Sequence, residues 1–409
     1  MKRNVIHTGD AFDVLPNLDD ESVHAVVTDP PYGLAFMGRD WDDFEPKEYQ
    51  EWSERWAREC KRVLKPGGHL LAFSGNRTHH RLFTGVEDAG FEIRDTLTWH
   101  YGSGFPKASD ISKTIDKRAD AEREVVGEDP NYREVESDKY SDDSGVAKNV
   151  TAPATDAAKK WDGWKTGLKP ATEFVVMARK PFDGATVDCV LEHGTGALNI
   201  DGCRIAGEKP KRENAGDRPS DSSTSYDLGS REATGTTTEG RYPSNVVFDE
   251  TEAERLDQQV GELETGDTVT RSNSIWGNAS DGDGMDGEGY EDTGGPSRYF
   301  YTSKASRSER TEDGAIDNDH PTVKPLDLME WLIKLVTREG QTILDPFAGS
   351  GTTCKAAKGL GRQFIGIERQ PRYADIARVR CGLTPDDPSV VRGDDKQNGL
   401  EAYADGGEP

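Results

Sequence analysis

The chain is 409 residues long and carries 76 Asp and Glu against 51 Lys and Arg, a formal net charge of -25. Hydrophobic residues are 33% of it, against roughly 45–50% in an average soluble protein, so part of the length lies outside any packed core. On its face the charge argues against nucleic acid, membrane or another polyanion as partner. No window approaches the roughly 20 apolar residues of a membrane span, and the N-terminus runs into structure without a signal-peptide core, so a soluble, cytoplasmic protein is expected. Five scattered cysteines without ligand spacing exclude a disulfide framework or zinc ribbon and read as reduced thiols.

In chain order, Val5-Ile6 reads as a strand, Ala11 to Leu18 as a short helix and Val23 to Val27 as a strand that ends at Thr28-Asp29-Pro30-Pro31. An amphipathic, tryptophan-bearing helix is predicted from about Tyr49 to Leu64, broken by Lys65-Pro66-Gly67-Gly68. A strand from His69 to Phe73, a helix near Thr78 to Ala89 and a strand from Phe91 to His100 follow. Strands alternating with helices predict an α/β fold with a largely parallel sheet and helices on both faces.

From about 106 to 300 the pattern weakens. Residues 117–160, 206–240 and 277–295 are polar or rich in glycine and acid, and read as flexible loops. Islands at Ala171 to Ala178, Ala197 to Ile205, Tyr242 to Phe248 and Arg298 to Tyr301 suggest a small, irregular second domain. Order returns with a helix from about Leu326 to Thr337, a strand Thr342 to Leu344, the loop DPFAGSGTT at 345–353, a helix through Leu360, a strand Phe364 to Ile367 ending at Glu368, and a helix Tyr373 to Arg380.

A strand running into Asp345-Pro-Phe-Ala-Gly349-Ser-Gly351-Thr352-Thr puts small residues where backbone must approach a ligand at the carboxyl end of a parallel strand. The acid nineteen residues after Gly349, Glu368, stands where nucleoside-binding folds place an acceptor for ribose hydroxyls. A phosphate-binding loop needs lysine directly after glycine, but Lys355 follows Cys354; a dinucleotide loop needs a third glycine where Cys354 stands. A nucleoside cofactor therefore suits the loop better than either rival.

Asp29-Pro30-Pro31-Tyr32 sits at the end of a strand and has a logic for attack by a planar amino group. A carboxylate and a main-chain carbonyl accepting its two N–H groups draw the nitrogen toward tetrahedral geometry and free its lone pair. Asp29 supplies the first acceptor, the Pro30 carbonyl the second, and Tyr32 a face for stacking a base.

These two motifs, with TDPPYG at 28–33, RVLKPGG at 62–68, HPTVKP at 320–325 and FIGIE at 364–368, make the chain resemble the β-class of DNA amino-methyltransferases over about residues 3–106 and 298–380. The resemblance implies a circularly permuted, seven-stranded Rossmann-like methyltransferase sheet. It divides the chain into a catalytic half at 1–106, a target-recognition region with flexible acidic insertions at 107–297, a cofactor half at 298–385 and a disordered acidic tail at 386–409. It implies S-adenosylmethionine as cofactor, with Asp10 at its adenine amino group, Asp345, Phe347, Gly349, Gly351 and Thr352 along its methionine and ribose end, Glu368 at the ribose, and Thr322, Lys324 and Pro325 on the opposite wall. Asp29 to Tyr32 would methylate the 6-amino group of an adenine flipped out of double-stranded DNA. Asp at the head of the tetrad favours adenine; the 4-amino group of cytosine, and a non-catalytic DNA-binding relative, are the alternatives.

No nuclease motif is visible in the chain, so any restriction activity would need a separate restriction endonuclease as partner, and the oligomeric state is left open with a dimer as the candidate. No metal is expected: the acidic run Asp281 to Glu288 departs from the calcium-loop pattern, and His79-His80 lack a partner at ligand spacing. Trp161 and Trp164 among Lys159, Lys160, Lys165 and Lys169 form a candidate DNA contact. The acidity itself resembles that of haloarchaeal proteins or their viruses, because phosphate contacts lose most of their value in molar salt.

Overall fold

Side chains in a strand alternate between the two faces of its sheet, so an unbroken apolar run means both faces are covered. The run at 25–27 and those at 70–73 and 175–178 have this character, and a computed structural model of the chain shows them in the middle of one sheet. The structure describes residues 2–34, 42, 44–102, 108–128, 149–205, 240–264, 293–303, 307–320 and 322–391. Among these the chain forms β1 (Val5–Thr8), α1 (Ala11–Val14), β2 (Val23–Thr28), α2 (Pro46–Val63), β3 (Leu64–Ser74), α3 (His79–Asp88), β4 (Glu92–His100), α4 (Ile111–Arg118), β5 (Val125–Glu128), β6 (Asn149–Thr151), α5 (Asp156–Lys160) and β7 (Thr172–Arg179). There follow α6 (Thr186–His193), β8 (Val246–Asp249), α7 (Glu250–Val260), β9 (Leu263–Glu264), β10 (Thr293–Gly294), β11 (Tyr301–Ser303), α8 (Arg307–Thr311), α9 (Leu326–Val336), β12 (Thr342–Asp345), α10 (Thr352–Gly359), β13 (Gln363–Glu368) and α11 (Pro371–Arg380).

By contact, residues 1–101 and 172–409 make one unit and 102–171 a second. The first holds a nine-stranded sheet in the order β1-β13-β12-β2-β3-β7-β4-β8-β11. Every neighbouring pair is parallel except the two made by β7, which runs antiparallel to β3 and β4. The start of β7 therefore lies at the same sheet edge as the ends of its neighbours.

Alternation divides the strand residues between two cores. Ala25, Val27, Leu71, Phe73, Val175 and Met177 pack with α9 and with alanines of α10 and α11. Val26, Leu70, Ala72, Val176, Ala178, Leu344 and Ile365 pack with α1, α2 and α3. Helix α2 buries Tyr49, Ser53, Trp56, Ala57, Cys60 and Val63, one stripe at helical spacing. Its first turn is fixed by Pro46 and by the Glu48 carboxylate, which accepts the Glu45 N–H at 3.2 Å. Trp56, fully buried, is worth roughly 1.5–3 kcal/mol or more in transfer terms alone.

Several expectations are corrected. The sheet has nine strands rather than seven, because β8 and β11 add to its far edge beside β4. The islands at 171–178, 242–248 and 298–301 do not build a second domain: they supply β7, β8 and the approach to β11, so the first unit takes up much of the span expected at 107–297. Segments of three to eight residues have too little apolar surface to fold alone and are stable only by pairing with an existing edge. The helix expected through Leu18 gives way to a 3-10 turn at Leu15–Asn17, where Pro16 lacks the N–H the helix needs. Lys65 to Gly68 lie inside β3, held by bonds from Gly67 N to Lys180 O (3.1 Å) and from Lys180 N to Gly68 O (2.9 Å). Residues 386–391, expected in a disordered tail, pack: Asp375 accepts the N–H groups of Asp386 and Asp387, and Val390 and Val391 are buried against Ile316. The rest of that tail, and the acidic run 281–288, lie outside the described residues.

The second unit comprises α4, the β5–β6 pair and α5. Its organising group is Asp116. Burial works against its charge, yet the N–H groups of Ala154 and Thr155, the Thr155 hydroxyl and the Arg123 guanidinium at 2.5 Å hold its pKa down to about 2. Trp161 and Trp164 are exposed, their rings 5.1 Å apart edge to face, and Leu168 is almost wholly exposed.

Candidate active site

Strands β2 and β12 are parallel neighbours, with Leu344 opposite Val26, so the loops after Thr28 and Asp345 leave the sheet side by side. The Thr28 hydroxyl donates to Asp345 Oδ1 at 2.7 Å and ties the loops together. Asp345 is buried, which pushes its pKa up to about 6 even though Thr353, Thr28 and the Phe347 N–H all hydrogen-bond the carboxylate.

The loop turns through two glycines with left-handed backbone, Gly349 (φ +52) and Gly351 (φ +83). A Cβ on Gly351 would stand 2.7 Å from that of Ala377, and one on Gly349 2.8 Å from His320 Nε2, so neither position has room for a side chain. Next in the sheet, β13 ends at Glu368, whose carboxylate accepts the N–H groups of Gly349 (2.9 Å) and Gln370 (2.7 Å); burial raises its pKa. Beyond it, Thr8 of β1 is opposite Glu368, and Asp10 caps α1 by accepting the Phe12 N–H at 2.9 Å. Asp345, Gly349, Gly351, Glu368 and Asp10 thus share one sheet edge. Two carboxylates beside a cramped glycine turn suit a ligand that brings its own hydroxyl and amino donors.

Two residues expected at the ligand have other engagements. Phe347 packs its ring against Trp52 and Trp56 at 5.3 and 5.5 Å, and the Thr352 hydroxyl accepts from Arg380 Nη1 at 3.0 Å. Arg380 also binds Ser350 O and Oγ, and reaches Glu312 Oε1 at 3.2 Å. That buried guanidinium fastens the loop to α11.

On the β2 side, Pro31 O accepts from the Tyr49 hydroxyl at 2.9 Å, and buried Asp42 accepts the N–H groups of Gly33 (2.6 Å) and Leu34 (3.2 Å). The Asp29-Pro-Pro-Tyr32 turn is held from both ends. Tyr32 Oη lies 2.7 Å from Asp29 Oδ1 and 2.9 Å from Glu173 Oε2. Lys324 Nζ contacts Asp29 Oδ2 at 2.5 Å, Glu173 Oε2 at 3.3 Å and Tyr32 Oη at 3.3 Å. Burial lowers the pKa of the Lys324 ammonium, but the two carboxylates outweigh it and the net direction is up. Burial raises that of Tyr32, and the carboxylates add to the rise. Glu173 is raised by burial and by Asp29, with Lys324 opposing.

The expected site residues therefore form two groups. Asp29, Tyr32 and Lys324 meet, so Lys324 stands with the tetrad rather than with the loop at 345–353. From the same HPTVKP segment, His320 covers Gly349 and packs edge to face on Tyr373 at 4.6 Å, its pKa lowered to about 4 chiefly by burial. Thr322 N donates to His320 Nδ1 at 3.3 Å, and Pro325 caps α9.

Sequence reasoning missed Glu173, Tyr49 and Asp42. The signal for Glu173 was a lone acid opening an otherwise apolar run, TEFVVMAR. His79, for which no metal role is expected, stacks on Phe174 at 4.3 Å.

Comparison with known proteins adds to this geometry. A family model described as N6/N4 DNA methylase matches residues 23–379. The type II methyltransferase M.HindIII of Haemophilus influenzae is 26% identical over 418 residues, covering 92% of this chain and 95% of that protein. The type II methyltransferase M2.DpnII of Streptococcus pneumoniae is 57% identical over 61 residues, 15% of this chain and 23% of that one. Among solved structures, the PvuII DNA methyltransferase, described as cytosine-N4-specific, aligns over 98% of this chain and 90% of its own at 15% identity and a TM-score of 0.47.

Proposed function

Because the chain belongs to the N6/N4 DNA methylase family, and is thus a DNA amino-methyltransferase, we propose that it methylates the 6-amino group of adenine in double-stranded DNA. The observation that supports this most is the pairing of β2 with β12. It sets the Asp29-Pro30-Pro31-Tyr32 turn beside the Asp345-to-Gly351 loop and links them through Thr28 and Asp345. A methyl acceptor held by the first faces a donor held by the second.

S-adenosylmethionine is the donor; bound, it supplies an electrophilic methyl group on a positively charged sulfur. The cradle suits it: Glu368 would take the ribose hydroxyls, Asp10 the adenine amino group, and the backbone at Gly349 and Gly351 the close approach that a side chain would block. The target base must leave the helix, at a cost of a few kcal/mol in unstacking and unpairing. It stacks on Tyr32, and Asp29 with the Pro30 carbonyl accepts its two amino N–H groups. The carboxylate stabilises the positive charge that grows on nitrogen as it attacks. Lys324 and the Tyr32 hydroxyl hold that carboxylate in place from the side.

Asp rather than Ser heads the tetrad, which supports adenine over cytosine. The second unit is the target reader in this proposal, with exposed Trp161 and Trp164 and the neighbouring lysines against the DNA. Its setting is restriction–modification in the cytoplasm, with the endonuclease a separate protein.

The test is methylation of DNA from a methylation-deficient host, followed by nuclease digestion and mass spectrometry. The expected product is 6-methyladenine. Only 4-methylcytosine would change the base, and no methylated base at all would sink the proposal. The charge of -25 supports a halophilic enzyme that relies on stacking and flipping rather than counterion release. Activity is expected to persist in molar potassium chloride; full activity at low salt with complete loss there would refute this.

A further inference from the structure

The three charged side chains around Tyr32 make an unbalanced set. Asp29 and Glu173 bring two negative charges and Lys324 one positive, in a place where Lys324 is 8% exposed and the carboxylates 19% and 18%. Buried clusters favour neutrality, and this one lacks a single proton of it. The Tyr32 hydroxyl lies within hydrogen-bond distance of both carboxylates but has one hydrogen to give, so it satisfies one of them at a time. Taking up one proton would fill the missing bond and cancel the excess charge together.

Amino methylation releases such a proton. The methylated nitrogen carries a positive charge and must lose one N–H. Asp29, which accepts a hydrogen bond from that group, lies 2.5 Å from the Lys324 ammonium against 3.3 Å for Glu173, so the negative charge is best left on Asp29 and the proton on Glu173. We propose that Glu173 is the positioning residue that receives this proton, through Asp29 and the Tyr32 hydroxyl. This rests on the function proposed above.

In the step, the N–H bond breaks and its electron pair returns to nitrogen, leaving the neutral methylamino group, while the proton forms an O–H bond on Asp29. That proton passes to the Tyr32 oxygen as the Tyr32 hydroxyl proton moves to Glu173 Oε2. Asp29 ends ionised, Tyr32 intact and Glu173 protonated, and no further reactant is consumed. The direction of the Glu173 pKa, raised by burial and the nearby Asp29 charge with Lys324 opposing, fits a carboxylate that takes up a proton. The antiparallel course of β7 makes the arrangement available: it delivers the first turn of that strand, with Trp99 opposite Glu173, to the edge where β2 ends. The groups facing Glu173 are Asp29 and Tyr32 after β2, Lys324 before α9 and Tyr101 after β4, with His100 bonded to the adjacent Thr172.

The experiment is single-turnover transfer of tritiated methyl from S-adenosylmethionine to unmethylated DNA across pH, for wild type, Glu173→Gln and Glu173→Asp. Protonated Glu173 cannot accept, so the wild-type rate should rise with pH as Glu173 ionises. Glu173→Gln should be roughly a hundredfold slower, the low end for a positioned proton acceptor, and lack that rise, and Glu173→Asp should recover it. A Glu173→Gln enzyme that keeps the wild-type pH dependence, slower or not, overturns the proposal. Infrared difference spectra between acidic and neutral pH read the same protonation without turnover: subtracting the Glu173→Gln spectrum from that of wild type should leave one carboxylic acid band with an onset at higher pH than the bulk carboxylates, and no such residual band also overturns the proposal. If wild type transfers no methyl to any DNA, the proposed function fails, and the relay with it.

Discussion

Asp29→Ala is expected to slow methyl transfer by about 10²–10³-fold, the range found when one preorganised group facing a developing charge is removed, with the affinity for S-adenosylmethionine little changed. The two effects separate because of where Asp29 stands. Its carboxylate contacts Lys324 and Tyr32, whereas the loop at 345–353, proposed to hold the donor, is fastened by Asp345, Glu368 and Arg380. Nor should the fold be lost, since Lys324 keeps Glu173 as a partner at 3.3 Å. Single-turnover rates and equilibrium binding of the donor measure the two separately. A rate within tenfold of wild type would remove Asp29 from the chemistry.

Lys324→Met should give the largest loss of stability. Methionine fills similar volume but leaves Asp29 and Glu173 facing each other across Tyr32 with no cation, and breaking a buried pair in this way costs about 3–5 kcal/mol. The pH dependence tests the cause. Lys324 has a folded pKa above its ordinary value of 10.5, so its contribution is fully present below that value and is lost only as pH rises through the folded one. Across neutral pH the deficit of the variant should therefore be constant and large. It should shrink on the acid side as Glu173, whose pKa is already raised above 4.5, takes a proton and removes the repulsion. Urea melts of both proteins from neutral to acidic pH would show this, and a deficit that does not change with pH would mean that packing rather than charge is at stake.

Both predictions turn on contacts that only folding brings together, and this marks how far the sequence could be read. Local patterns carried most of the elements: the alternating and helical spacings placed β2, β4, α2, α9 and β13 within a few residues of where they lie. The loops that leave the sheet after Thr28 and Asp345 were legible too, since glycine, proline and acid mark a strand end. Pairings across the chain were not. Glu173 reaches Tyr32 over 141 residues and Lys324 reaches Asp29 over 295, and no local pattern states that β7 runs against its neighbours. Lys324 was expected on the cofactor wall because its motif was read as one unit. In the structure that motif divides, with His320 over the loop and Lys324 in the tetrad. The short strands β8 and β11 looked like part of a separate domain for a related reason: an edge strand borrows its stability from the sheet it joins, and its own sequence does not show the loan.

The pairing of β2 with β12 also sets a timetable for synthesis. Thr28 and Asp345 are 317 residues apart, and at about 5–20 residues per second a ribosome needs roughly 15–60 s to travel that far. For that interval β2 can pair with β3 on one side, but its other edge, which β12 will cover, has no neighbour and is a template for pairing with another nascent chain. The first half of the molecule must wait for the second, and the same-sign charge that sets chains apart from one another protects it while it waits.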